Sequence, residues 1–143
     1  VIINQINDRF GNDLKNLKFA IWGISFKPDT DDIREASSLE IITCLIKLGA
    51  KVSVHDPVSI PAAKAYFSKS SFDLSNLQFE ENEFKAIKDA DALILVTEWK
   101  MYRNPNFDKL KTILKQLNIF DGRNQYDPKI LREKGYFYKG IGR

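Results

Sequence analysis

Residues 18–36 read K-F-A-I-W-G-I-S-F-K-P-D-T-D-D-I-R-E-A. The first six, Lys18 to Gly23, have the length and apolar content of a strand buried on both faces of a parallel sheet. The next stretch, Ile24 to Ala36, crowds six ionisable side chains into one connection. A strand-to-helix loop needs only about two to six residues, and a longer one is commonly functional. This one leaves the carboxyl end of a strand, the edge at which open α/β sheets hold their ligands.

Working outward, strand-like and helix-like runs alternate. Ser37-Ser38-Leu39-Glu40 has the pattern of a capping box, Leu39, Ile42, Leu45 and Ile46 mark one buried helical face, and Gly49 ends that helix. Lys51 to His55 predicts a second strand closed by the turn chemistry of Asp56-Pro57. A helix over Ser59 to Phe67, a polar loop over Ser68 to Asn76 and a brief strand at Leu77 to Phe79 follow. Glu83 to Lys88 predicts a short helix, and Ala92 to Val96 is the most strand-like run in the chain, emerging at Thr97-Glu98-Trp99. Phe107 to Leu117 carries apolar residues at helical spacing and leads to a fifth strand, Asn118 to Phe120, with Asp121-Gly122-Arg123-Asn124 as its exit loop. A helix over Pro128 to Lys134 and a strand over Tyr136 to Tyr138 precede Gly140-Ile141-Gly142-Arg143. Such alternation predicts an α/β fold, a three-layer Rossmann-like parallel sheet with helices on both faces.

Upstream, Ile2, Ile3, Ile6 and Phe10 recur at helical spacing, and the apolar face of this helix is expected to meet a surface outside the main domain. The expected division is residues 1–14 as the end of a connector helix and 15–143 as one domain. A first residue of Val1 instead of Met points to a fragment or a processed product.

At 143 residues the chain can bury roughly two thirds of its unfolded surface without staples. Lys and Arg number 22 against 19 Asp and Glu, a net +3, which lacks the dense basic stripe of a nucleic-acid binder. One cysteine, Cys44, excludes an internal disulfide and a cysteine-rich metal site and suits a reducing cytoplasm. No apolar run approaches the roughly 20 residues of a membrane span, and no signal peptide opens the chain.

Parallel strands all point one way, so the loops after Gly23, Val96 and Phe120 should meet at one edge, with Lys27, Arg34 and Arg123 as their cations. Arg forks match phosphate bidentately and Lys adds a point charge, a combination suited to a diphosphate. The helix start at Ser37 adds free backbone N–H groups close by. Asp29, Asp31, Asp32 and Glu35 would repel a phosphate if they faced it. They are expected instead to orient Arg34 and cap local N–H groups, with Pro28 stiffening the turn. A dinucleotide fingerprint needs three glycines at the first turn and an acid about 20 residues on. Here only Gly23 is present, Phe26 and Lys27 occupy the close-approach positions, and Asp56 lies too far along. His55, Cys44, Trp22 and Trp99 read as packing residues.

The words F-K-P-D-T-D-D-I-R-E-A-S-S-L-E-I, H-D-P, T-E-W, D-G-R-N and G-I-G-R occur in order over Leu17 to Arg143. Together they resemble the carboxy-terminal UDP-binding domain of the UDP-glucose and GDP-mannose dehydrogenases, above all the bacterial UDP-glucose 6-dehydrogenases. That resemblance implies oxidation of UDP-glucose to UDP-glucuronate with two NAD, through a thiohemiacetal and a thioester on a catalytic cysteine. By the resemblance, Phe26 and Lys27 contact the sugar nucleotide, Arg123 meets its phosphate or sugar end, and Arg34 reaches towards NAD held by an amino-terminal partner domain. Cys44 does not match the family's nucleophile, so no catalytic residue and no dehydrogenase activity are expected of this chain alone. A homodimer is implied for the full-length enzyme. Two alternatives stay open: a domain of a GDP-mannose or UDP-N-acetylmannosamine dehydrogenase, and a free-standing sugar-nucleotide-binding module.

Overall fold

In the strand Lys18–Trp22, Phe19 and Ile21 point to one side while Ala20 and Trp22 point to the other, and all four are buried. Period-two alternation with both sides apolar is what a central parallel strand requires. The computed structural model describes residues 1–34, 36–71 and 73–143. Its elements are α1 (Ile2–Phe10), β1 (Lys18–Trp22), α2 (Ser37–Lys47), β2 (Lys51–His55), α3 (Ile60–Phe67), β3 (Leu77–Phe79), α4 (Glu83–Ile87), β4 (Ala92–Leu95), α5 (Lys100–Arg103), α6 (Phe107–Ile113), β5 (Asn118–Asp121), α7 (Pro128–Glu133) and β6 (Phe137–Gly140). The strands form one parallel sheet in the order β3-β2-β1-β4-β5-β6.

Each sheet face carries its own core. On one, Phe19, Ile21, Val52, Val54, Ile94 and Phe120 pack with residues of α1, α2 and α3. On the other, Trp22, Leu93, Leu95 and Ile119 pack with residues of α4, α5, α6 and α7. The expected three-layer Rossmann-like α/β arrangement is the one found.

Four local expectations are corrected. The apolar face of α1 does not look away from the domain, because Ile2 and Ile6 are buried in the first core. Gly122 leaves room for that contact, since a Cβ there would stand 2.8 Å from Ile2 Cδ1. The capping box does not form: Ala36 is the N-cap of α2 with no side-chain cap, and the Ser38 hydroxyl donates instead to the buried Ile24 carbonyl at 2.5 Å. A buried carbonyl without a partner costs more than an uncapped N–H near solvent. The helix expected over residues 107–117 stops at Ile113, where Leu114 turns extended and Lys115 donates its N–H to Ala90, delivering the chain to β5. The last strand begins at Phe137, whose N–H bonds Leu117, and runs to Gly140.

Both sheet edges are blunted. β3 has three residues, and on β6 three outward groups are occupied: Arg132 donates to the Tyr138 carbonyl at 3.2 Å, Gln5 to the Gly140 carbonyl at 2.9 Å, and the Gly140 N–H donates to Arg143 at 3.0 Å. Unpaired edges invite another strand, and occupied ones do not.

Candidate functional site

Asp56, at the carboxyl end of β2, is 3 % exposed and organises the site. Its Oδ2 accepts from the Ile24 N–H at 2.8 Å and from Trp99 Nε1 at 3.2 Å, and its Oδ1 from the Val58 and Ser59 N–H groups at 2.8 and 2.7 Å. One carboxylate thus ties together the loops that follow β1, β2 and β4. Thr97 adds a second tie, its hydroxyl donating to the Ser25 carbonyl at 2.6 Å. Gly23 lets these loops approach: its φ is +100°, and a Cβ there would lie 2.5 Å from Thr97 Cβ.

The outer part of the 24–36 loop projects from that base. Phe26, Lys27, Thr30, Asp32 and Arg34 line a cavity of ≈ 380 Å³. Phe26 is 54 % exposed, and the Lys27 ammonium has no hydrogen-bond or ion-pair partner among the described residues. Arg34 lies along Asp32, with Nε to Oδ1 at 3.0 Å and Nη2 to Oδ2 at 2.9 Å. Hydrogen bonds from the Arg34 side chain and N–H pull the Asp32 carboxyl down to about 2. Asp32 therefore orients Arg34, as expected of the loop acids. Asp29 holds a left-handed φ of 65° and Asp31 is exposed, while Glu35 lies outside the described residues.

Arg123 stands apart from this cavity. Its N–H donates to Asp121 Oδ1 at 3.0 Å, and its guanidinium pairs through Nε and Nη2 with the Glu98 carboxylate, the Nη2 contact being 3.0 Å. Burial would raise the Glu98 carboxyl, but Arg123 outweighs it and holds the group below its ordinary value. The following residue, Asn124, bonds both backbone groups of Ile141, and Arg143 Nη2 donates to the Asn124 and Tyr126 carbonyls at 2.9 Å. The sequence words at 97–99, 121–124 and 140–143 are thus hydrogen-bonded neighbours in space.

Of the four predicted contact residues, the cavity unites Phe26, Lys27 and Arg34 and leaves Arg123 on the next loop but one. The capping oxygen expected at the Ser37 helix start is missing, although α2 does begin there. Asp56, Thr97 and Glu98 carry structural weight that sequence reading did not assign. The available signal was an aspartate closing a buried strand and a polar pair leaving another. His55 and Cys44 are where packing predicts: His55 is buried with Nδ1 2.5 Å from the Tyr102 hydroxyl, and Cys44 is half-buried in α2.

A larger cavity of ≈ 540 Å³ runs along β6 between α1 and α7. Both of its arginines are already engaged, Arg9 stacking 4.1 Å over Phe137 and Arg132 bonding Tyr138. At the first strand-to-helix turn, Thr97 lies against Gly23 where a Cβ would stand, and no further glycine follows to bring backbone close to a dinucleotide. No helix among the described residues is long and apolar enough to cross a membrane.

An open parallel sheet with a cation- and aromatic-lined cavity at its carboxyl edge defines a Rossmann-like binding domain for an anionic ligand. Residues 20–128 match the UDP-glucose/GDP-mannose dehydrogenase family, UDP binding domain, and the chain belongs to that family. It is 36 % identical over 143 residues to a UDP-glucose 6-dehydrogenase of Pseudomonas aeruginosa, covering 100 % of this chain and 31 % of that protein. UDP-glucose 6-dehydrogenase TuaD of Bacillus subtilis is 35 % identical over 130 residues, covering 91 % of this chain and 27 % of that one. Among solved structures, an NDP-N-acetyl-D-galactosaminuronic acid dehydrogenase from Methanosarcina mazei superposes with a TM-score of 0.78 at 28 % identity, covering 99 % of this chain and 28 % of the other. The chain spans about three tenths of the length of these curated relatives.

Proposed function

We propose that this domain binds the UDP portion of UDP-glucose at its carboxyl edge, within a longer cytoplasmic UDP-glucose 6-dehydrogenase that makes UDP-glucuronate. The observation that carries this reading is the pairing, on one long loop, of an exposed phenylalanine with an ammonium that has no partner among the described residues, at Phe26 and Lys27. An aromatic face stacks on a planar ring and an ammonium donates to a phosphate, the two ends of a nucleotide. In the longer protein, residues 1–14 complete a connector, 15–143 form the UDP-sugar-binding domain, and Arg34, whose side chain is 87 % exposed, reaches towards NAD held by an amino-terminal domain. The amino-terminal and central parts of that protein supply the catalytic cysteine, and the assembled enzyme is a homodimer.

Calorimetric or NMR titration of the chain with UDP, UDP-glucose, GDP-mannose and NAD tests the reading. UDP and UDP-glucose should bind, GDP-mannose more weakly, and NAD not measurably. Replacing Lys27 by Ala should remove about 1.5–3 kcal/mol, roughly 10- to 150-fold in affinity. Equal binding of wild type and Lys27→Ala would refute the assignment. The same chain given UDP-glucose and NAD should form no NADH, because its one cysteine lies within α2.

A further inference from the structure

Arg123 owes its orientation to Glu98. Both Nε and Nη2 donate to that one carboxylate, a planar fork that fixes the direction of the remaining donors. Each end of the pair is anchored. Glu98 sits between Thr97, bonded to Ser25 at 2.6 Å, and Trp99, bonded to Asp56 at 3.2 Å. Arg123 is held at its N–H by Asp121, whose other oxygen accepts from the Tyr126 N–H at 2.9 Å and the Tyr138 hydroxyl at 2.8 Å. The Glu98 side chain is 19 % exposed and that of Arg123 33 %, so the pair is sheltered on the carboxylate side while the guanidinium reaches solvent. Nη1 makes no hydrogen bond among the described residues.

Resting on the reading of Arg123 as a ligand contact, we propose that Glu98 is a positioning residue, holding Arg123 so that its free Nη1 edge is presented to the diphosphate or sugar end of a bound nucleotide sugar. A ligand does not need to displace Glu98, since the engaged and free edges of the guanidinium are different atoms. A carboxylate that merely competed with the ligand would behave in the opposite way. Removing a negative charge from beside an anion site strengthens anion binding unless that charge was holding the binding group in place.

The sign of one substitution therefore decides the matter. The chain is titrated with UDP-glucose by two-dimensional NMR, which reads weak affinities, as wild type, Glu98→Gln, Arg123→Ala and the double variant. Glu98→Gln is expected to weaken binding about five- to tenfold despite the lost negative charge, and to add nothing once Arg123 is already Ala. The Arg123 Nε–H signal should shift and exchange faster in Glu98→Gln while the backbone spectrum stays folded. Binding of Glu98→Gln equal to or tighter than wild type overturns the proposal, as does the same weakening with and without Arg123. If Arg123→Ala binds like wild type while Lys27→Ala does not, the inference falls and the nucleotide site at Lys27 survives. If wild type shows no response to UDP-glucose, both fall.

Discussion

A single buried carboxylate, Asp56, receives four hydrogen bonds from three loops. Asn at this position would turn one acceptor into a donor facing donors, so Asp56→Asn should lose about 2–3 kcal/mol in chemical denaturation. Gly23→Ala should cost about 2–4 kcal/mol, combining a φ of +100° with a Cβ 2.5 Å from Thr97. His55 adds a pH dependence. Burial lowers its pKa, outweighing the pull of Glu83 and Asp56, so the native state keeps it neutral while the unfolded chain protonates near its ordinary value of 6.5. The unfolded state then binds more protons, and stability is complete above about pH 6.5 and declines as pH falls towards the depressed native value. Urea midpoints measured from pH 7.5 down to 5 should fall, and His55→Gln should flatten that decline.

At the scale of elements, most of the fold was legible. β1, β2, β3 and β4 stand within one residue of their predicted runs: β1 and β4, buried on both faces, are almost wholly apolar, while the more polar β2 and β3 are short runs bounded by turn residues. What escaped depended on partners distant in sequence. α5 has four residues and no periodicity of its own, yet it sets Tyr102 in a stack 4.9 Å from Trp22 and bonded to His55. For the candidate site, residue type and strand-end position pointed to Lys27, Arg34 and Arg123, and the family resemblance added Phe26, whereas the roles of Asp56, Thr97 and Glu98 arise from neighbours across 25 to 72 residues. The packing of α1 is the element-scale test. Ile6→Ala should lose about 2–5 kcal/mol if that helix belongs to the core, and no more than about 0.5 kcal/mol if it were a loosely attached connector.

For the whole molecule, the sheet divides two jobs between its edges. The amino edge is closed by structural polar contacts such as Asp91, which accepts from the Lys18 N–H at 2.9 Å and Gln116 at 2.8 Å. The carboxyl edge collects loops far apart in sequence that meet only once folded, when β1, β4 and β5 become neighbours. The outermost strands have a different consequence. With the Tyr138 carbonyl and both Gly140 backbone groups already engaged by Arg132, Gln5 and Arg143, the β6 side offers incoming chains only an interrupted ladder. A concentrated stock should accordingly remain clear and free of thioflavin-positive fibres through prolonged incubation.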